Sequence, residues 1–399
     1  MDHQPIDIFD PSMREDPFPT YHRMRSDRPV CRVEPGGFFA LTRYDDITAA
    51  FRDTATYSSA AFRFVLAPEW VGRNPAADSL IVLDPPTHTR QRSLVSRAFV
   101  ASVLHALQPF IEALMGEILE DVERDAGEPV DIVGRVGLPL AGRVIAKILG
   151  LDPTLVPKFG QWVGNISKIT PIVPPPEAVA ETKRLLAEQE QYLASVVDDR
   201  LAAPRRDDLP SVLCHAVVDG ERLSREELIS FLFILLGAGF ETTVHLVSKS
   251  ALLLADRPDL HQALRDDPSR VGDFVEEMLR YDGPTHSLMR TTTRDVTLHG
   301  TTIPAGSVVA LVMAAGNRDP SRFSDPDTFD LDRKPTGVLA FGHGIHVCIG
   351  AALARMEGAL ALRALTQRFR RFERVPAGVE WNYMIHVRGL DRLMLRLHA

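Results

Sequence analysis

The sequence predicts a mainly helical protein with small β-sheets, and three observations carry that expectation. The longest apolar stretch, 228–255, is interrupted by Glu241, His245 and Lys249, so it fits a buried central helix better than a membrane span. Around it lie several segments of helical length with amphipathic patterning. Strand signals are short, at 30–41 and 296–312, and each is broken by glycine or proline turns. The 399 residues are 45% hydrophobic and 25% charged, ordinary for a globular protein with a large core. A net charge of −8 argues against a general nucleic-acid binder. Cys31, Cys214 and Cys348 lie far apart with no Cys-x-x-Cys pair, which excludes a zinc ribbon and fits a reducing compartment. The first thirty residues are polar and proline-rich, without the pattern of a signal peptide or membrane anchor.

Taken in order, residues 30–33 and 38–41 flank Glu34-Pro35-Gly36-Gly37 and read as a hairpin. A helix over 45–52 follows, with Asp45 or Asp46 available as its cap. Residues 57–83 lack a clean period. Their apolar side chains, Phe62, Phe64, Val65, Leu80 and Val82, are separated by Pro68, Gly72 and Pro75, which suits a binding loop and ordinary packing about equally. His88 and Arg92 then share one face of a helix, four residues apart. Helices are expected at 104–123, at 139–149 with Gly150 as its stop, and at 154–169. Proline-rich 170–177 connects to a helix over 178–201, and a short helix falls within 207–219. Ser224-x-x-Glu227 forms a capping box that opens the central helix, 225–255, about 45 Å long at 1.5 Å per residue. The helix over 273–280 sets Glu277 and Arg280 three apart, by default a surface pair worth about 0–1 kcal/mol. Residues 283–290 are extended, 296–312 are strands, and 381–397 alternates enough to be a closing hairpin.

Two stretches carry chemistry. In Phe341-Gly342-His343-Gly344-Ile345-His346-Val347-Cys348-Ile349-Gly350, three glycines surround a cysteine and a strong helix former, Ala351-Ala352-Leu353-Ala354, follows at once. Glycine permits positive φ and close backbone approach. A helix N-terminus favours thiolate over thiol. A thiolate held by glycine-rich backbone against a planar face is a ligand arrangement for haem iron. The second stretch is Gly237-Ala238-Gly239-Phe240-Glu241-Thr242 within the central helix. Two glycines there weaken the helix by about 1 kcal/mol each relative to alanine, so space or a kink is expected. The adjacent carboxylate and hydroxyl are apt for delivering the two protons that splitting dioxygen consumes.

The cysteine loop, with six fixed residue types in ten positions, resembles the haem-binding signature of the cytochrome P450 superfamily in its soluble bacterial form. The resemblance extends over nearly the whole chain. It implies one domain, 1–399, holding heme b (iron protoporphyrin IX) between the central helix and the cysteine loop. It makes Cys348 the iron ligand, the ligation for which cytochromes P450 are the standard example. His346, Arg290 and the His88/Arg92 pair become propionate partners, and arginine's planar fork suits a carboxylate. Glu241 and Thr242 become the catalytic acid–alcohol pair. Glu277, Arg280 and Arg333 become a buried structural network, and the 154–201 region becomes a lid. Phe62, Phe64, Val65, Leu80, Val82, Ala238, Thr285, His286, Leu288 and Met289 become candidates for the substrate pocket. The few charges among them suit an apolar small molecule.

The implied reaction is monooxygenation by O2, with electrons from NAD(P)H through ferredoxin reductase and ferredoxin, in a cytoplasmic monomer without a membrane anchor. A haem-thiolate peroxygenase or isomerase and a non-catalytic haem sensor are the alternatives, and neither needs the Glu241–Thr242 pair. From Ala351 onward nine arginines face four acids, which makes a basic docking patch for an acidic ferredoxin a further expectation.

Overall fold

The computed structural model describes residues 6–7, 10–34, 36–98, 101–125, 127–170, 172–382 and 386–399. The chain forms two compact units. The first comprises Met1–Ser58, Glu112–Gly137 and Thr242–Ala399, and the second comprises Ser59–Ile111 and Leu138–Glu241.

All the described strands belong to the first unit. They are β1 (Ile6–Asp7), β2 (Val30–Glu34), β3 (Phe38–Leu41), β4 (Tyr57–Ser58), β5 (Pro129–Asp131), β6 (Leu288–Thr292), β7 (Val296–Leu298), β8 (Thr301–Ile303), β9 (Val308–Leu311), β10 (Arg371–Trp381) and β11 (Leu390–His398). The main sheet has the order β1-β2-β3-β9-β6-β4. A three-stranded sheet runs β10-β11-β5, and β7 pairs with β8. The expected hairpin is present, with Val30 opposite Leu41 and Val33 opposite Phe38. Leu41, Ile47, Phe51, Val309, Leu311 and Met313 form the core of this sheet and the helix beside it.

That helix, Tyr44–Arg52, does not use Asp45 or Asp46 as its cap. It begins after Arg43, and the Tyr44 N–H is accepted by Asp319 Oδ2 at 3.0 Å. The two acids lie in its first turn, where they complement the helix dipole. The closing hairpin also differs from expectation. Its first strand is β10, ending at Trp381, and the pairing with β11 is irregular between Arg374 and Val379. Pro376 falls in that irregularity, the place where a strand tolerates proline. Part of the expected 381–397 segment lies outside the described residues.

The regular elements described in the second unit are helices, joined by turns and loops. The stretch 57–83, which had no clean period, contains one short helix, Ala61–Leu66, and two 3-10 turns, Pro75–Asp78 and Leu80–Val82. None is long enough to show a helical repeat. Asn74 joins them, its Nδ2 donating to Leu66 O at 2.7 Å and its Oδ1 accepting from Ala76 N–H at 3.1 Å. Thr87–Ala98, Leu138–Leu149, Val156–Ile166, Pro176–Ala202 and Leu209–Cys214 follow as helices close to the expected bounds. Pro176 opens its helix, and Gly150, at φ +58°, ends the preceding Leu138–Leu149.

The central helix, Arg225–Asp256, runs from one unit into the other. Its capping box is reciprocal: Ser224 N–H donates to Glu227 Oε2 at 2.8 Å, and Glu227 N–H donates to Ser224 Oγ at 3.2 Å. Among the described residues it is the one helix long and apolar enough to cross a membrane, but 61% of its apolar window is buried inside the protein, as in a core helix. The helix continues through Gly237 and Gly239 without a break. A Cβ on Gly239 would lie 3.3 Å from Ile145 Cδ1, whereas one on Gly237 would meet nothing within 4 Å. One glycine therefore permits packing and the other borders open space.

Candidate active site

In the first unit the site begins with the cysteine loop. Two 3-10 turns, Leu339–Phe341 and Gly344–His346, fold it back so that Cys348 N–H donates to Phe341 O at 2.9 Å. Gly342 and Gly344 adopt φ of +71° and +72°, a region other residues enter at a cost. At Gly344 a Cβ would also lie 2.6 Å from Phe51 O. The backbone approach that requires glycine there is to the neighbouring Tyr44–Arg52 helix. The cysteine helix, Ala351–Arg368, starts after Gly350, two residues beyond Cys348.

Cys348 is exposed, whereas Cys31 and Cys214 are buried. Burial pushes the Cys31 thiol up to about 12 and the Cys214 thiol up to about 11. Neither is suited to supplying a thiolate at neutral pH. Beside Cys348, Ile345 and Val347 are exposed apolar side chains, and His346 is half-buried. Arg290 is buried on β6, with its guanidinium 5.3 Å from the Phe51 ring centre and its Nη1 donating to Met289 O at 2.8 Å.

Behind the loop, the Glu277 carboxylate accepts from Arg280 at 2.8 and 2.7 Å, from Arg333 Nε at 3.0 Å and from Asp330 N–H at 3.0 Å. The Glu277 and Arg280 side chains are 1% and 0% exposed, so the default of a surface pair does not apply. Arg355 pairs with Glu276 and lies 4.5 Å from the Phe341 ring centre, bracing the loop. Of the nine C-terminal arginines, six pair with carboxylates: Arg355, Arg368, Arg371, Arg374, Arg388 and Arg392. Much of the positive charge expected to form a docking patch is thus locally neutralised. Arg363 is exposed on the cysteine helix.

The extended segment before β6 is tied down more than its sequence indicates. His286 is buried, with Tyr21 Oη 3.3 Å from its Nδ1 and Asp282 Oδ1 3.0 Å from its Nε2. Burial pushes this imidazole down to about 4, and the neutral ring donates from Nε2 to Asp282. Asp282 also accepts from Lys249 at 2.7 Å and from Arg388 at 2.8 Å. Thr285 is half-buried and bridges Val387. Leu288 and Met289 are adjacent on β6, so their side chains leave opposite faces of the sheet. Leu288 packs on the sheet core.

The second unit carries the remaining candidates except Thr242, which begins the last segment of the first. His88 is buried and Arg92 half-buried on Thr87–Ala98. Phe62, Leu80 and Val82 are buried, Val65 is half-buried, and Phe64 is 59% exposed. Within the span 228–252 of the central helix, Ala238 is exposed and Ile234, Leu235, Gly237, Gly239, Glu241 and Thr242 are half-buried, the rest being buried. The acid–alcohol pair therefore lies where the helix opens. Ser167, which sequence reasoning did not single out, donates to the Glu241 carboxylate, with its Oγ 3.0 Å from both oxygens.

Residues 18–377 match the family model described as Cytochrome P450. The chain belongs to the cytochrome P450 family. It is 36% identical to the 6-deoxyerythronolide B hydroxylase of Saccharopolyspora erythraea, over 98% of each chain. Its fold is similar to that of cytochrome P450 CYP109Q5 from Chondromyces apiculatus, with a TM-score of 0.90 and 35% identity, covering 99% of this chain and 98% of that one. It is also similar to CYP109E1 from Bacillus megaterium in complex with testosterone, with a TM-score of 0.84 and 32% identity, covering 96% and 100%. The protein is thus a P450 monooxygenase of a family that binds heme b, apolar substrates and O2 and works with redox partners.

The residues present fit that cofactor. An exposed soft donor sits in a glycine-shaped loop beside exposed apolar side chains, and a buried arginine lies in the same unit. When bound, haem supplies the electron-transfer and dioxygen chemistry that side chains lack.

A second acid lies on the P450 cysteine helix. Glu357 is buried, and burial pushes its carboxyl up to about 8 against a hydrogen bond from Thr243. The folded state therefore holds a proton that the unfolded state, near 4.5, has lost. The resulting stability is fully present below 4.5 and is lost as pH rises through about 8. Urea denaturation across that window should show a falling midpoint for the wild type and a flatter one for Glu357→Gln.

Proposed function

We propose that the protein is a haem-thiolate monooxygenase that inserts one oxygen atom of O2 into a largely apolar organic substrate by hydroxylation or epoxidation. Electrons come from NAD(P)H through ferredoxin reductase and ferredoxin, in the cytoplasm. The observation that carries this reading is Cys348, an exposed thiol in a loop shaped by positive-φ glycines, within a chain that matches P450s along nearly its whole length. Cys348 is the iron ligand, and His346, Arg290, His88 and Arg92 are the propionate partners. The family model extends over segments of both units, which supports one domain over 1–399. The hydroxylase relative and the testosterone-bound neighbour support a bulky polycyclic or macrocyclic substrate. Phe62, Phe64, Val65, Leu80, Val82, Ala238, Thr285 and one of Leu288 and Met289 remain candidates for contacting it.

Glu241 and Thr242 carry the protons. Glu241 supplies them, and the Thr242 hydroxyl passes them on from the stretch where the central helix opens. The test combines a spectral titration of the haem-loaded protein against a compound library with O2 uptake in a surrogate ferredoxin system. Uptake with product formation supports the reading. Turnover only with added peroxide would favour a peroxygenase, and neither would leave a sensor. Positioned proton transfer is worth about 10²–10⁴-fold, so Thr242→Ala should lower product per NAD(P)H by about tenfold or more and divert the electrons to peroxide. Full coupling in that variant would remove Thr242 from the relay.

A further inference from the structure

The hydrogen bond between Ser167 and Glu241 joins this carboxylate to the end of the Val156–Ile166 helix. Ser167 follows Val156–Ile166, and its N–H donates to Val163 O at 3.1 Å, which fixes its backbone in the last turn. The flanking segment is pinned on both sides. Asn165 Nδ2 donates to Thr182 O at 3.1 Å, and the Trp70 indole N–H donates to Thr170 O at 2.8 Å. Ser167 Oγ is thus held by structure built independently of Glu241.

Its surroundings also suit both protonation states of the acid. Ser167 Oγ lies 3.0 Å from each Glu241 oxygen and 3.3 Å from Val163 O. A hydroxyl has one proton to donate and lone pairs to accept with. Facing a carboxylate, Ser167 donates to Glu241. Facing a carboxylic acid, it accepts the Glu241 proton and turns its own toward Val163 O. The partnership survives each loss and gain of a proton, so the carboxyl stays in one place through the cycle. A lysine or arginine here would favour only the ionised form.

We infer that Ser167 is a positioning residue for proton delivery, holding the Glu241 carboxyl through both of its protonation states and coupling it to the connection between the two lid helices. This rests on the reading of Glu241 as the acid of the pair. The consequence is that a displacement of Ser167 with its helix end alters the aim of the acid.

The test uses the full-length haem-loaded protein with a surrogate ferredoxin, its reductase, NADPH and air, without substrate. The readout is hydrogen peroxide formed per NADPH oxidised, followed over a pH series. O2 reduced to peroxide uses one NADPH, and O2 reduced to water uses two, so this ratio reports how often protons reach the second stage. A hydrogen bond to a charged group is worth about tenfold or more, so Ser167→Ala should raise the peroxide-to-water ratio by about tenfold, towards that of Glu241→Gln, and change its pH profile. Ser167→Thr, which keeps the hydroxyl, should restore both. A wild-type ratio and profile in Ser167→Ala while Glu241→Gln is raised would overturn the inference, as would failure of Ser167→Thr to restore them. A wild-type ratio in Glu241→Gln would instead overturn its role as the acid, and this inference with it.

Discussion

Cys348→Ala yields a folded protein without the carbon monoxide difference band of thiolate-ligated haem and without NAD(P)H-supported oxygenation. The polypeptide fold should survive because the loop is held by Gly342, Gly344 and the Cys348 N–H to Phe341 O bond, none of which uses the thiol. The chemistry should not, because no other thiol is equipped to replace it. Cys31 and Cys214 are buried, and their thiols are pushed up to about 12 and about 11. The nearest other donors in the loop are imidazoles. His343 already accepts from Arg52 Nε at 3.0 Å, and His346 lies on the preceding 3-10 turn. Residual haem in the variant should therefore carry nitrogen or water ligation, which absorption and resonance spectra distinguish from sulfur. A thiolate-type band in Cys348→Ala would refute the ligand assignment.

The part of this site that the sequence made legible is the part whose causes are local. The cysteine loop and the Ser224–Glu227 cap each lie within ten residues, so residue type and spacing specify their geometry. Glu277 and Arg280 were visible as a pair, but not as a buried one. Their burial depends on carbonyls that arrive 37 to 48 residues later. Ser167 was invisible for the same reason: it meets Glu241 across 74 residues, and an isolated serine at a helix end has no signature. The Tyr44 amide finds Asp319 across 275 residues, which is why the nearer Asp45 and Asp46 looked like better caps. For His286 the sequence showed a histidine in an extended segment, while its partners Asp282 and Tyr21 come from two other elements. The 57–83 stretch failed differently, because its turns are too short for periodicity to register.

Glu277→Ala should cost about 3–5 kcal/mol, the range for removing one partner of a buried ion pair, against a total stability of about 5–15 kcal/mol for a domain. The variant is expected mostly as insoluble or haem-poor protein, with a sharply lowered urea midpoint in any soluble fraction. The size follows from what is stranded. Arg280 would keep a buried charge, and Arg333, 10% exposed, would keep another nearly so. Arg333→Ala should be milder, because Arg280 still neutralises Glu277.

The network also has a second function that stability alone does not reveal. Arg280 donates to Asn317 O at 3.0 Å, Pro326 O at 2.8 Å and Thr328 O at 3.1 Å, and Glu277 holds Asp330 N–H. These bonds fix the segment that leads into Leu339 and the cysteine loop, where Asn317 Oδ1 in turn accepts from Leu339 N–H at 2.7 Å. Replacing both charges with apolar residues of similar size, Glu277→Met with Arg280→Leu, removes the stranded Arg280 charge, though Arg333 still loses its carboxylate, and should recover part of the lost stability. It leaves the Asn317 and Pro326 carbonyls and the Asp330 N–H without these partners, while Thr328 O keeps Arg333 Nη2 at 3.2 Å, and each buried unsatisfied group costs about 1–3 kcal/mol. The double variant should therefore unfold later than Glu277→Ala yet still lose haem faster than the wild type. Recovery of both stability and haem retention would reduce the pair to a packing element; recovery of neither would show that the carbonyl anchors outweigh the charge.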